Sequence, residues 1–351
     1  MPIDFGDRGE GTEMGEATIR DVARRAEVSV ASVSRALNGL DNVSAETREK
    51  VIKAANELGY VPHAGARSLS LARAHAIGVV LPDLHGEFFS ECVRGMDKEA
   101  SRRGYLLLLS NMHDDGDQAA VALRAMRGRV DGLLVMAPHI APETLEHAIP
   151  PAIPSVLLNS HADLPGRPTL RFDNRAGAEA IVEHLVANGY RHIVHIAGPE
   201  GNLDAAQRAE GYLAVCARHS LPPRILPGDF NEEAGEAAAR AILASTTHTD
   251  AVFAANDMMA IGCLHTLRGA GTRVPEDIAI AGFDDVPLAR YLSLSTVRVN
   301  IAEMGARAVS RLIDLLEGKD LNRASETLSP ELVMRATTAP RTAHQGGAAH
   351  A

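Results

Sequence analysis

Thr18–Arg35 reads TIRDVARRAEVSVASVSR. Apolar residues recur at Ile19, Val22, Ala23 and Ala26, then at Val28, Ala31, Val33, Ala36 and Leu37. This is the spacing of one buried stripe on each of two helices. The connector between them, AEVS, has room only for a turn. Two crossed helices on a short connector form a helix-turn-helix unit, whose second helix enters the DNA major groove.

The flanking residues supply helix ends. Thr18 with Asp21 three residues on has the capping-box pattern, the acid lying near the positive helix end. Ser29 is placed to cap the second helix and leave amides facing a phosphate. A third helix opens at Ser44 in NVSAETREKVIKAANELGY, with Val51, Ala54, Ala55 and Leu58 as its apolar face and Gly59 as its left-handed terminus. Three helices in about 45 residues suffice for a small DNA-binding headpiece.

The 351-residue chain has room for further compact units. Its net charge of −10 argues against nucleic acid until its distribution is read. Residues 17–73 hold nine Lys/Arg against six Asp/Glu, whereas residues 1–16 and everything after 73 are acidic. A basic headpiece on an acidic body binds phosphate at one end only, and its modest charge calls for two headpieces, hence a homodimer. Cys92, Cys216 and Cys263 are too few and too widely spaced for a disulfide frame, and fit reduced core thiols in a cytoplasmic protein. No apolar run is long enough to span a bilayer, and the acidic N-terminus is not signal-like. Residues 1–16 and 340–351 are expected to be a disordered extension and tail.

Beyond residue 75, apolar runs at Ala76–Leu81, Tyr105–Ser110, Val130–Ala137, Pro154–Leu158, His192–Ala197, Ala251–Ala255 and Ile278–Phe283 read as strands. Amphipathic segments such as Phe89–Arg103, Ala176–Asn188, Ala205–His219 and Glu232–Ser245 lie between them. The alternation is that of doubly wound parallel sheets, and about 265 residues is large for one such sheet, so two lobes are expected. Ligands of such sheets sit at the carboxyl ends of the strands. The fifteen histidines are scattered; His192 and His195 lack a third ligand nearby in sequence, so no metal site is expected. No cofactor is expected either, and the sequence holds no phosphate-binding glycine fingerprint, HExxH or GxSxG, which disfavours an enzyme.

TIRDVARRAEVSVASVSRALNG, VSAETREKVIKAANELGYVPH and ARSL, with IGVVLPD, GLLVM, ANDMMAIG, IAGFDD and LVMRATTAP further on, together resemble the lactose/galactose-repressor family over roughly residues 17–339. The resemblance implies a small all-α helix-turn-helix headpiece and an α/β periplasmic-binding-protein-like body of two doubly wound lobes joined by three crossovers. The implied division is a headpiece at 17–61, a hinge at 62–74 and a body at 75–339. Within the body the N-lobe spans about 75–172 and 298–328, and the C-lobe about 173–297 and 329–339. The implied protein is a dimeric transcriptional repressor that binds pseudo-palindromic operator DNA and is released by a sugar effector. A purine or nucleoside effector is the alternative. A secreted solute-binding protein is disfavoured by the headpiece and the N-terminus.

On the second helix, Val30 and Ala31 suit a thymine methyl, Ser32 and Ser34 suit phosphate or base, and Arg35 offers a fork to guanine. Thr18, Ser29 and Asn38 complete the candidate DNA contacts. Pro62 stops the third helix from continuing. The ARSL segment resembles the family's hinge helix, which implies that Leu69 wedges into the minor groove. His63 stands where relatives often carry Asn.

Aromatic residues are scarce, yet Phe88 and Phe89 are adjacent just after the first strand, and Phe230 sits in a loop. Such rings pack on sugar faces or heterocycles. Asn159, Asp173, Arg208, Asn256 and Asp284, at strand ends or in loops, offer amide, carboxylate and guanidinium groups for hydroxyls. Asp173 equally suits capping the next helix, and Arg208 equally suits a structural ion pair. The resemblance places Arg208, Phe230, Asn256 and Asp284 at effector contacts, and matches Phe88–Phe89 to the aromatic pair of pentose- and purine-binding relatives. Val299 and Pro138 depart from the polar residues common at those places.

Overall fold

The computed structural model describes residues 17–38, 42–60, 73–113, 116–160, 164–319 and 325–340. The chain divides into two compact units, Met1–Ala74 and His75–Ala351.

The first unit contains α1 (Ile19–Arg25), α2 (Val30–Leu37) and α3 (Ala45–Glu57). Val22, Ala23, Ala26, Val33, Ala36, Val51, Ala54 and Ala55 form its core. Ser29 Oγ accepts from the Ser32 amide at 3.1 Å and Ser44 Oγ from the Thr47 amide at 3.2 Å, so both expected caps form. At α1 the Asp21 carboxylate accepts from the amide and the hydroxyl of Thr18. The same C-terminal motif closes α1 and α3. Val28 N donates to Ala23 O (3.0 Å) across the left-handed Glu27, and Tyr60 N donates to Ala55 O (2.9 Å) across the left-handed Gly59. Two stripe assignments are corrected here. Ala31 is exposed, because it lies on the helix face opposite Val33 and Ala36. Leu58 is exposed as well, because the turn at Gly59 brings Tyr60 onto the core in its place.

The second unit is built on two parallel sheets. The first has the order β11-β5-β4-β3-β1-β2, from β1 (Ala76–Leu81), β2 (Leu106–Asn111), β3 (Gly132–Met136), β4 (Ser155–Leu158), β5 (Thr169–Phe172) and β11 (Glu326–Leu328). The second has the order β7-β6-β8-β9, from β6 (Ile193–Ile196), β7 (Arg224–Leu226), β8 (Ala251–Ala254) and β9 (Ala279–Ala281). Between them, β10 (Thr296–Arg298) pairs antiparallel with β12 (Glu331–Val333). The chain therefore passes from the first sheet to the second after β5, returns after β10, and crosses again between β11 and β12. The strands β1, β3, β4, β6 and β8 are buried throughout, as parallel strands covered on both faces must be. The second strand, in contrast, is a sheet edge with Leu106, Leu108 and Leu109 exposed.

The connecting helices are α4 (Glu87–Arg102), α5 (Gly116–Met126), α6 (Pro142–Ala148), α7 (Asn174–Ala187), α8 (Leu203–Arg218), α9 (Glu232–Ala244), α10 (Asp257–Gly269), α11 (Pro287–Tyr291) and α12 (Ile301–Leu316). α4 and α12 pack backbone to backbone. A Cβ on Gly95 would strike the Ala302 carbonyl, and one on Gly305 would strike the Cys92 carbonyl. That contact seats α12, which follows the second crossing, on the first sheet.

Candidate functional site

On the headpiece, α2 presents Val30 and Ala31 outward, and Ser32, Ser34, Arg35 and Asn38 are half-buried. Ser32 Oγ lies 2.9 Å from Ser29 Oγ, and Asn38 Nδ2 donates weakly to Ser34 Oγ at 3.4 Å. Arg35 Nε is tied to Ala31 O at 3.1 Å, which aims the guanidinium along α2 with its terminal nitrogens unengaged. Arg24 pairs with Asp21 and Arg25 with Glu57. Arg20, Arg35 and Lys53 have no acidic partner among the described residues and leave the headpiece with uncompensated positive charge. Arg20 and Lys53 were absent from the sequence-derived candidates; for Arg20 the lack of an acid three or four residues on points to it, whereas Lys53 has Glu49 and Glu57 one turn away on either side and no local pattern marks it. Leu69 and the hinge around it lie outside the described residues.

In the body, a cavity of about 200 Å³ opens between the two sheets' strand ends. Its walls include Phe88, Phe89, Arg208, Phe230, Asn256 and Asp284, six of the eight sequence-derived candidates. Phe88 and Phe89 meet edge to face with centroids 5.4 Å apart. Phe230, in the left-handed region at φ 59°, lays its ring on Gly198, where any Cβ would collide with it.

Arg208 is the most firmly held charged side chain of the wall. It projects from α8 and is 3% exposed. Its Nε donates to Asn174 Oδ1 (2.9 Å) and its Nη1 to Ala255 O (2.5 Å), and the guanidinium carbon sits 3.9 Å from the centre of the Phe283 ring. Nη1 also lies 3.3 Å from Asp284 Oδ1, a charge contact without hydrogen-bond alignment, which leaves that buried oxygen without a hydrogen-bond partner. Burial pushes the Asp284 carboxyl up to about 7; Arg208 pulls against this and Asp204 adds to it. Beneath it, Asp257 accepts from Thr296 Oγ1 (2.6 Å) and Val286 N (2.9 Å), and burial, with Asp284 nearby, raises its carboxyl well above the usual range. Asp257 thus ties α10 to β10 under the cavity floor.

Two candidates fall elsewhere. Asp173 is exposed and outside the cavity wall; its Oδ1 accepts from Ala176 N at 3.0 Å and caps α7. Its neighbour Asn174 is the residue that turns inward to Arg208. Asn159 is buried one layer behind the wall, with Nδ2 donating to Asp204 Oδ2 at 3.0 Å. Asn256 does line the cavity, but Oδ1 caps α10 at Met259 N and Nδ2 holds the Phe230 carbonyl, so its role is to set the loop. Val299 is buried in the core, while Pro138 lines the wall and its carbonyl accepts from Leu203 N at 2.9 Å.

The sequence reading missed Asp83, His85, Asn202, Asp204, Asp229 and Asn231, all on the cavity wall. Asp83, His85, Asp229 and Asn231 follow a parallel strand's carboxyl end by two to five residues, so listing the polar residues just after each strand would have found them, while Asn202 and Asp204 lie six and eight residues beyond β6 at the start of α8. Asp204 carried a different signal, one helical turn before Arg208 on α8. No group of three or more potential metal ligands occurs among the described residues. His195, stacked between Tyr212 and Phe253, is driven down to about 4 by burial, so it stays neutral near pH 7. All three cysteines are buried, and burial pushes Cys92 and Cys263 up to about 12.

Residues 18–63 match the family of bacterial regulatory proteins of the lacI type, and residues 182–338 match the periplasmic binding protein-like domain. The ribose operon repressor of Halalkalibacterium halodurans is 35% identical over 324 residues, which cover 92% of this chain and 97% of that protein. The chain belongs to the LacI family. The HTH-type transcriptional repressor CytR of Escherichia coli is 34% identical over 331 residues, 92% of this chain and 96% of its own length. The lac repressor dimer bound to operator and the anti-inducer ONPF superposes with a TM-score of 0.83 at 30% identity, covering 92% of this chain and 99% of that one. As a LacI-family member the protein is a DNA-binding transcriptional regulator with an effector-binding body, and not an enzyme. No helix among the described residues is long and apolar enough to cross a membrane.

Proposed function

We propose that the cleft takes an uncharged sugar of the pentose class and that its occupation releases the headpiece from operator DNA. The observation that carries this reading is the charge balance of the cavity wall. Asp83, Asp204, Asp229 and Asp284 face it against one arginine, itself set beside Asp284. Several acceptors and little free positive charge suit a ligand rich in hydroxyl donors and repel a phosphorylated one. The rings of Phe88, Phe89 and Phe230 cover the ligand's apolar faces. The ribose operon repressor's name agrees with a pentose. A nucleoside is the second reading, favoured by the Phe88–Phe89 pair, which also suits a heterocycle.

On this reading Ser29, Val30, Ala31, Ser32, Ser34, Arg35 and Asn38 face the major groove, and Thr18, Arg20 and Lys53 face phosphates. Leu69 is retained as the minor-groove wedge on sequence grounds alone. The active form is a homodimer acting on the bacterial nucleoid in the cytoplasm, and the exposed leucines of the β2 edge are offered as part of the contact with the second copy. The mechanism is linkage: effector and operator favour different lobe geometries, so each lowers the other's affinity. A thermal-shift screen of D-ribose, D-xylose, cytidine and their 5′-phosphates tests the effector. A neutral compound at about 100 times its Kd stabilises by about 2.7 kcal/mol, and its phosphate ester does not. Stabilisation by the esters alone overturns the reading.

A further inference from the structure

The short helix α11 opens at Pro287, immediately after the Asp284–Val286 turn. Its N-cap residue, Val286, has no side-chain acceptor to offer. The cap comes from the opposite lobe: Glu87 Oε2 accepts from Leu288 N at 3.0 Å, across 201 positions of sequence. A carboxylate on the second amide of a helix is the arrangement of an N-cap, strengthened by charge and by the positive helix end.

Both ends of this bond lead into the effector cavity. Glu87 is the first residue of α4, and the next two are Phe88 and Phe89. On the other side, the residues before Leu288 are fixed one by one. Asp284 N donates to Val297 O (2.7 Å), Asp285 is held by Arg298 (2.8 Å) and Arg335 (2.7 Å), and Val286 N donates to Asp257 Oδ2 (2.9 Å). Asp284 is therefore rigidly connected to the amide that Glu87 caps. Other contacts also cross the cleft, among them Asn159 Nδ2 to Asp204 Oδ2 (3.0 Å), Leu203 N to Pro138 O (2.9 Å) and His85 to Glu232 (3.5 Å), but none of them involves the residue next to the Phe88–Phe89 pair or the turn that carries Asp284.

We infer that Glu87 is a positioning residue of the effector site, an interlobe latch that holds the Phe88–Phe89 wall against the Asp284 anchor and slows effector escape. The inference rests on that cavity being the effector site. When the lobes part, the bond breaks and α11 loses its cap; when an effector bridges the rings and Asp284, the bond is kept. The latch acts on closure rather than on encounter, so it belongs in the dissociation rate.

Amide hydrogen exchange at Val286 and over residues 288–292 of the full-length protein tests it without any ligand. In Glu87→Ala the Leu288 amide is expected to exchange about tenfold faster than in the wild type, with Val286, held by Asp257, unchanged. Glu87→Gln, which keeps a weaker acceptor, is expected to fall between. Stopped-flow with D-ribose as probe is expected to show dissociation about tenfold faster in Glu87→Ala and association unchanged. Unchanged Leu288 exchange in both variants overturns the latch whatever the effector is. Faster Leu288 exchange with no ribose binding to the wild type upholds the latch and counts against the pentose reading. A ribose dissociation rate unchanged in Glu87→Ala, or a change confined to association, also overturns it.

Discussion

The headpiece and the effector cleft are built on opposite plans. The caps and turns that shape the headpiece are local, and its whole core comes from one stretch of fewer than forty residues. Ser29 caps Ser32, Ser44 caps Thr47, Gly59 turns Tyr60 back onto Ala55, and eight small apolar residues close the core. The cleft instead gathers Asp83, Phe88, Arg208, Phe230, Asn256 and Asp284, with Asn174 behind Arg208, from loops and helices spread over some two hundred residues. Its centre is a buried arginine whose partners come from α7, the residue after β8 and the loop after β9. A small local unit has little core to spare but tolerates surface change, so its side chains are free to read DNA. A non-local site with a buried charge is expected to be intolerant of single changes at its centre, and the two regions are expected to fail independently.

The largest effect should follow from Arg208→Ala. It strands Asn174 Oδ1, Ala255 O and the Asp284 carboxyl in a closed cavity, a loss on the order of 3–5 kcal/mol for a broken buried pair. Calorimetry with the effector found by screening is expected to show at least about a hundredfold weaker binding. Effector-free operator affinity stays within about twofold if the two regions are energetically separate. Arg35→Ala is the mirror experiment. Operator binding should weaken by about 1–3 kcal/mol, with relaxed preference at one base pair per half-site, and effector affinity should not move. A loss of effector binding in Arg35→Ala would break the comparison from the headpiece side.

A smaller effect is expected at Ser29→Ala, which removes the cap of α2 and costs the headpiece about 1 kcal/mol. Calorimetric melting should lower the headpiece transition and leave the body transition in place. The pH response of effector binding centres on Asp284. Asp284 has its carboxyl raised from 3.8 to about 7. A carboxyl that holds its proton more tightly folded than unfolded contributes stability that is fully present below about pH 4 and lost as pH climbs to about 7. Hydroxyl donors prefer the ionised carboxylate, so effector affinity should rise several-fold from pH 6 to pH 8, with proton release on binding. Asp284→Asn should flatten that profile while operator binding keeps its own pH dependence.

The same contrast explains what the sequence made legible. Helix periodicity, caps and the Gly59 turn are written in neighbouring residues, so α1–α3 could be read nearly to their ends. The buried, wholly apolar strands β1, β3 and β8 were legible for the same reason. The strands β5, β7, β10, β11 and β12 are three or four residues long and carry Arg171, Arg224, Arg298, Glu326 or Glu331, so no apolar run betrays them. Among the cleft residues, Asp173 and Asn174 are adjacent and chemically alike. Which one caps α7 and which one turns toward Arg208 depends on where α8 lies in space, and no local pattern encodes that. Asn159 lies at a strand end, as a ligand contact should, but Asp204 stands in front of it.

The central claim is that the cleft and the headpiece are separately built and coupled only through an effector anchored at Arg208 and Asp284. It is tested most directly by titrating operator DNA with the full-length protein, wild type and Arg208→Ala, with and without the neutral sugar or nucleoside that stabilises the wild type. The account predicts that the two proteins bind operator alike without effector, and that effector weakens the wild type but leaves Arg208→Ala unmoved. Equal weakening of both by the effector, or failure of Arg208→Ala to bind operator at all, would contradict it.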